Sequence, residues 1–208
     1  EGLLKKLRGM FAFVIFDRKK KTLFGARDHF RIKPFYYYHK DGTFLFGSEI
    51  KSFLAHPDFK KELFEEKLPD FMTFGCIPGE ETFFRNVYKL LPGHYFTCEN
   101  DKVNVKMYWE PTFDINENQT IESVADKLDG VLEDSVNKHI IADVPVCSFL
   151  SSGVDSSYVA YELKDKVDLT TFTIDFVEQK YSEAPHAKEL ADELGIRNIG
   201  RKVSAEEY

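Results

Sequence analysis

The residues with the clearest capacity for chemistry are Ser151-Ser152-Gly153-Val154-Asp155-Ser156-Ser157, a stretch of hydroxyls with one glycine and one carboxylate. The apolar run Val144 to Leu150 precedes it, and Tyr158, Val159, Tyr161 and Leu163 follow at helical spacing. Strand, tight turn, helix is the expected order. Unpaired backbone N–H groups and the positive end of the dipole meet at a helix start, which suits an oxyanion such as a phosphate. Small residues let the backbone approach it closely. Asp155 would repel a phosphate unless a divalent cation bridged the two, so the turn predicts Mg²⁺. The same residues also read as a helix start capped by Ser and Asp, with no ligand at all. Three familiar patterns are excluded: no Lys follows Gly153 as GxxxxGK[ST] requires, and neither GxGxxG nor GxSxG occurs.

The elements that position this turn are legible on both sides of it. Thr120 can cap a helix on which Ile121, Val124, Leu128, Val131 or Leu132, Val136 and Ile140 recur every three or four residues. Val144 to Leu150 and Leu169 to Phe176 read as strands, and Ile196 to Val203 holds a further short one. Glu183 to Leu194 is an amphipathic helix with Gly195 at its C-terminal cap. Alternating strand and helix imply a parallel sheet with right-handed crossovers. The first half is different. Strands are expected at Met10 to Phe16, Thr22 to Ala26, Phe35 to Tyr38, Thr43 to Gly47, Tyr95 to Cys98 and Val103 to Trp109, with turns at Asp17 to Lys21 and Lys40-Asp41-Gly42. Met10 to Phe16 is apolar throughout, as in a strand covered on both faces. A short helix starts at Ser48-Glu49 and stops at His56-Pro57, and Pro69 limits the helix candidate Glu62 to Phe74 to two pieces. Glu110 to Gln119 is the linker candidate, so two domains of different class meet near residue 115, as 1–112 and 113–208.

The totals bound the function. Of 208 residues, 43% are apolar, with 20 Phe and 10 Tyr, ample for buried cores. The net charge is −7 without a basic block, which argues against a nucleic-acid partner. Cys76, Cys98 and Cys147 form no CxxC pair and suggest a reducing compartment, the cytoplasm. No apolar run has the length of a membrane span. The six histidines (His29, His39, His56, His94, His139 and His186) share no metal-ligand spacing. The chain starts at Glu1 in front of a strand and stops after Ser204-Ala205-Glu206-Glu207, which looks like a capped helix start. It therefore reads as a piece of a longer protein, expected to be inactive by itself.

The 151–157 turn resembles the SGGxDS pyrophosphate loop of ATP pyrophosphatases. With Asp143-Val144-Pro145-Val146 and Phe149-Leu150 ahead of it, it is similar to that of the glutamine-hydrolysing asparagine synthetases. Blocks of the first half resemble the glutaminase domain of that family in the same order: Leu7 to Phe13, Ala26-Arg27-Asp28 through Lys33-Pro34-Phe35-Tyr36-Tyr37, and Phe46 to Lys51. Leu91 to Tyr95 and Tyr108-Trp109 resemble its final strands. The resemblance implies an α+β, Ntn-hydrolase-like part, the end of a class II glutamine amidotransferase domain, followed by an α/β, Rossmann-like ATP-pyrophosphatase part. It implies a parent ligase that converts aspartate to asparagine through β-aspartyl-AMP, with ammonia from glutamine, and it allows for a homodimer. By position, Ser151, Gly153, Asp155, Ser156 and Ser157 would hold the β- and γ-phosphates of ATP, with Ser152 and Val154 completing the loop. Asp155 would place Mg²⁺ through the phosphate. Phe149 or Leu150, with Ile174, would meet adenine at the carboxyl ends of neighbouring strands.

Departures from the pattern are specific. Ser152 stands where Gly is usual, which would cost strain if the position needs a positive φ. Arg31 likewise replaces a usual Gly, and Phe35 a usual Leu; both are expected to affect packing. The family's N-terminal nucleophilic Cys has no counterpart at the start, so no catalytic residue is assigned. Arg27-Asp28 reads as a structural ion pair holding the following loop, or as a catalytic pair. Asp175 and Glu183 read as a solvated loop, or as groups approaching ATP or Mg²⁺. Phe35 to Tyr38 reads as a strand over a core rather than a platform for bases. The acceptor pocket is not represented, so a β-lactam synthetase-like enzyme and a non-catalytic nucleotide-binding module stand as rival readings.

Overall fold

The computed structural model describes residues 2–116, 118–177, 182–204 and 206–207, and the chain divides into two compact units, 1–114 and 115–208. The first contains β1 (Ala12–Asp17), β2 (Thr22–Arg27), β3 (Tyr36–Lys40), β4 (Thr43–Gly47), α1 (Leu68–Phe74), β5 (Val87–Lys89), β6 (His94–Glu99) and β7 (Lys102–Met107). Two antiparallel sheets form, in the orders β1-β2-β6-β7 and β4-β3-β5. Tyr37 from one sheet, with Phe35 just ahead of its strand, meets Phe96 and Cys98 from the other in a shared buried cluster. Gly25 lies opposite Phe96 in the β2–β6 ladder, and a Cβ there would fall 2.2 Å from the Phe96 ring, so only glycine leaves room for it.

Two local expectations change, and the division of the Glu62 to Phe74 candidate into two pieces holds. β1 is covered on both faces only near its start, where Phe13 packs beside Leu4 and Val14 joins the Phe96 cluster. Ile15 and Phe16 lie beyond that cover and are half exposed. Ile50–Ala55 is a 3₁₀ helix, as is Glu65–Lys67 just ahead of α1. Pro69 sits in the first turn of α1, where a missing N–H costs nothing, so it starts the helix. β5 carried no signal in the sequence and exists by pairing with β3.

The second unit contains α2 (Ile121–His139), β8 (Cys147–Phe149), α3 (Val154–Leu163), β9 (Thr170–Phe176), α4 (Ala184–Leu194) and β10 (Arg197–Val203). Its three strands run parallel in the order β10-β9-β8. Thr120 caps α2 by accepting the Ser123 N–H at 3.2 Å, and Gly195, at φ 67°, closes α4. Leu150, Ala160, Leu163, Leu169, Ala187 and Ala191 form the core, with Val136 and Ile140 against it. β8 is shorter than expected because its register with β9 begins at Cys147 and Thr170. On β9, Thr171 and Thr173 are buried while Phe172 and Ile174 face outward. The buried hydroxyls are satisfied: Asn198 donates to both Thr oxygens at 2.9 Å, Thr171 donates to Arg197 O and Thr173 to Leu150 O. The expected helix start at 204–207 includes Ala205, which lies outside the described residues. Among the described residues, no helix is long and apolar enough to cross a membrane.

Candidate functional site

The loop after β8 is fixed at its entry. The Leu150 N–H donates to Phe172 O at 2.9 Å, and Leu150 O accepts the Thr173 hydroxyl at 2.8 Å, so the strand end is pinned to β9. Three residues then turn the chain, and Gly153, with extended φ and ψ, serves as the N-cap of α3. Val154, Asp155, Ser156 and Ser157 are thereby the first turn of a helix. Ser152 lies outside the left-handed region, so its backbone carries no such strain.

The amides of Ser151, Ser152 and Gly153, ahead of the helix, each have a partner. Ser151 N–H donates to Ser156 Oγ at 3.1 Å, Gly153 N–H to Ser151 Oγ at 3.1 Å, and Ser152 N–H to Glu183 Oε2 at 3.2 Å. The hydroxyls of Ser151 and Ser156 are 2.8 Å apart, and Ser157 Oγ donates to Gly153 O at 2.8 Å. The serine oxygens are short-range acceptors that a phosphate oxygen can replace. Beside the loop lies an open cleft of about 360 Å³, lined by Phe149, Leu150, Ser151, Ser156, Phe172, Thr173, Ile174, Phe176 and Glu183. Val154 and Asp155 instead line a groove between α2 and α3, with Leu128, Leu132 and Tyr158. The Tyr158 hydroxyl donates to Asp129 Oδ1 at 2.5 Å across that groove, which raises its pKa.

The residues fit a polyphosphate: amides and hydroxyls converge at a helix start, next to an apolar-walled cleft at the carboxyl ends of parallel strands. Among the described residues, no group of three or more His, Cys, Asp or Glu side chains could hold a metal ion. A Mg²⁺ ion held at this cleft would share Glu183 with phosphate oxygens and water, the usual mode for that ion, while Asp155 stands on the α2–α3 side of the loop. Glu183 was readable only as one of two acidic residues following a strand. Thr173 and Asn198 gave no signal, because their part is to anchor the loop's entry.

Arg27 and Asp28 hold the loop that follows them, each through the backbone. Arg27 donates to Lys33 O at 2.7 Å and to Leu90 O at 2.6 Å. Asp28, 1% exposed, accepts the N–H groups of Phe11, Phe30, Ile32 and Lys33. Burial pushes its pKa up, but the four N–H donors outweigh that and hold it below the usual carboxylate range. Both are occupied by structure. Cys98 is buried, and Cys76 and Cys147 are exposed; all three are free thiols.

Comparison with known proteins follows the same division. The profile described as "Glutamine amidotransferase domain" matches residues 1–109, and that described as "Asparagine synthase" matches residues 127–208. The chain is 40% identical over 214 residues to "Asparagine synthetase [glutamine-hydrolyzing] 1" of Bacillus subtilis, covering 100% of this chain and 33% of that protein. It is 36% identical over 193 residues to "Asparagine synthetase [glutamine-hydrolyzing] 3" of the same organism, covering 88% and 31%. It is 35% identical over 198 residues to "Putative asparagine synthetase [glutamine-hydrolyzing] 2" of Methanocaldococcus jannaschii, covering 91% and 38%. The chain thus spans about a third of the length of the curated relatives it matches.

Proposed function

The chain belongs to the glutamine amidotransferase domain family and continues into an asparagine synthase segment, and from that premise we propose that it forms part of a ligase that amidates aspartate to asparagine with ATP and glutamine-derived ammonia. In this reading residues 1–112 belong to the glutaminase part and 113–208 to the synthetase part. The observation that carries the proposal is the 151–157 loop, whose amides and hydroxyls gather at the start of α3 beside the cleft.

The chemistry asked of this chain is electrostatic. The aspartate β-carboxylate attacks the α-phosphorus of ATP, giving β-aspartyl-AMP and pyrophosphate, and ammonia then displaces AMP. Ser151, Ser152, Gly153, Ser156 and Ser157 would exchange their internal partners for β- and γ-phosphate oxygens and hold the leaving pyrophosphate. Asp155 would position Mg²⁺ through the phosphates, and the ion supplies charge neutralisation when bound. Phe149, Leu150 and Ile174 would receive adenine, the two exposed side chains by apolar contact and the buried Leu150 as part of the cleft wall. Val154 would contribute backbone only.

The test is calorimetric. Asp155→Ala in the intact protein should weaken Mg·ATP binding by about tenfold or more, as expected for loss of a carboxylate that serves a divalent cation. Unchanged affinity refutes the metal-bridging role.

A further inference from the structure

We propose that Glu183 makes the loop select metal-complexed over metal-free polyphosphate, an inference that rests on reading residues 151–157 as a pyrophosphate site. Glu183 immediately precedes α4 and lines the cleft that Phe149, Ser151, Ser156 and Ile174 also line. The segment is tied down at its neighbour: Ser182 Oγ donates to Asp175 Oδ1 at 2.5 Å and accepts the Ala184 N–H at 3.3 Å. From that position Glu183 Oε2 accepts the Ser152 N–H.

The three turn amides are not equivalent. Those of Ser151 and Gly153 donate to neutral serine hydroxyls, and that of Ser152 donates to a carboxylate. A hydroxyl yields its place to a phosphate oxygen without repulsion. The Glu183 carboxylate does not, because a polyanion arriving at the same amide meets a negative charge already at hydrogen-bond distance from it. A divalent cation between carboxylate and phosphate replaces that repulsion with two attractions. The loop therefore penalises free polyphosphate and accepts its magnesium complex.

The experiment titrates the intact protein with inorganic pyrophosphate by calorimetry, once with Mg²⁺ and once with a chelator. Glu183→Gln keeps an oxygen for the Ser152 N–H and removes the charge; the side chain is exposed, so the fold tolerates the change. The wild type should bind the magnesium complex well and free pyrophosphate much more weakly. Glu183→Gln should bind free pyrophosphate about tenfold more tightly, collapsing the ratio between the two conditions. Glu183→Asp, which keeps the charge, should preserve discrimination. An unchanged ratio in Glu183→Gln, with the wild type binding the magnesium complex, overturns this inference and leaves the proposed function standing. A wild type that binds no magnesium pyrophosphate defeats the pyrophosphate-site reading and this inference with it.

Discussion

Arg31 sits at φ 62°, in the left-handed region that costs a residue with a Cβ about 1–2 kcal/mol. It occupies a position at which the resembling family uses glycine. Its carbonyl accepts from Arg27 Nη2 at 3.5 Å, a bond that glycine would keep. Arg31→Gly should therefore stabilise the first unit by about 0.5–1 kcal/mol, the strain relief reduced by the greater freedom of glycine in the unfolded chain. Thermal denaturation checks this: Tm should rise by about 2 °C. A fall would show that the guanidinium contributes more than the backbone costs. Ser152, the other departure from a usual glycine, carries no positive φ, so its substitution acts through its added hydroxyl and Cβ.

Among the elements, the turn at Gly93 joins three stretches that looked separate. Gly93 N–H donates to Asp28 O at 2.9 Å, and Gly93 O accepts the Tyr108 and Trp109 N–H groups at 2.8 and 3.2 Å. The Tyr108 hydroxyl returns to Arg27 O at 2.8 Å. Gly93 is at φ 65°, and a Cβ would lie 2.3 Å from the Trp109 carbonyl oxygen. Gly93→Ala combines left-handed strain with a clash against backbone and should cost about 3 kcal/mol or more. Urea denaturation followed by Trp109 fluorescence measures it, and a loss under about 1 kcal/mol would mean the β6 entrance relaxes freely. In the second unit the comparable join is β8 to β9, where Thr173 and Asn198 hold the loop's entry.

At the scale of the whole molecule, each unit has its own core, and acid should act on the first through Asp28. Its folded pKa is depressed, so its stabilisation is complete above the unfolded carboxylate value, near 4, and is lost as pH falls through the lower folded value. Asp28→Asn should cost about 2–3 kcal/mol at neutral pH and flatten the stability loss below pH 4, because burying donors without a charged acceptor is expensive at any pH. Denaturation midpoints of wild type and variant between pH 2 and about 7 test this; parallel curves would locate the acid sensitivity elsewhere. What the sequence by itself determined was local: a strand, small polar turn and helix at 144–163, the Thr120 and Gly195 caps, the apolar stripe of α2, and the order of motif blocks along the chain. Such features follow from backbone periodicity and from side chains acting within a few residues of themselves. Tertiary structure alone decided which distant groups meet. Glu183 reaches Ser152 across 31 residues, Thr173 reaches Leu150 across 23, and Arg27 reaches Leu90 across 63. Those meetings depend on strand register and helix packing, which place residues with no common local pattern within a hydrogen bond of each other.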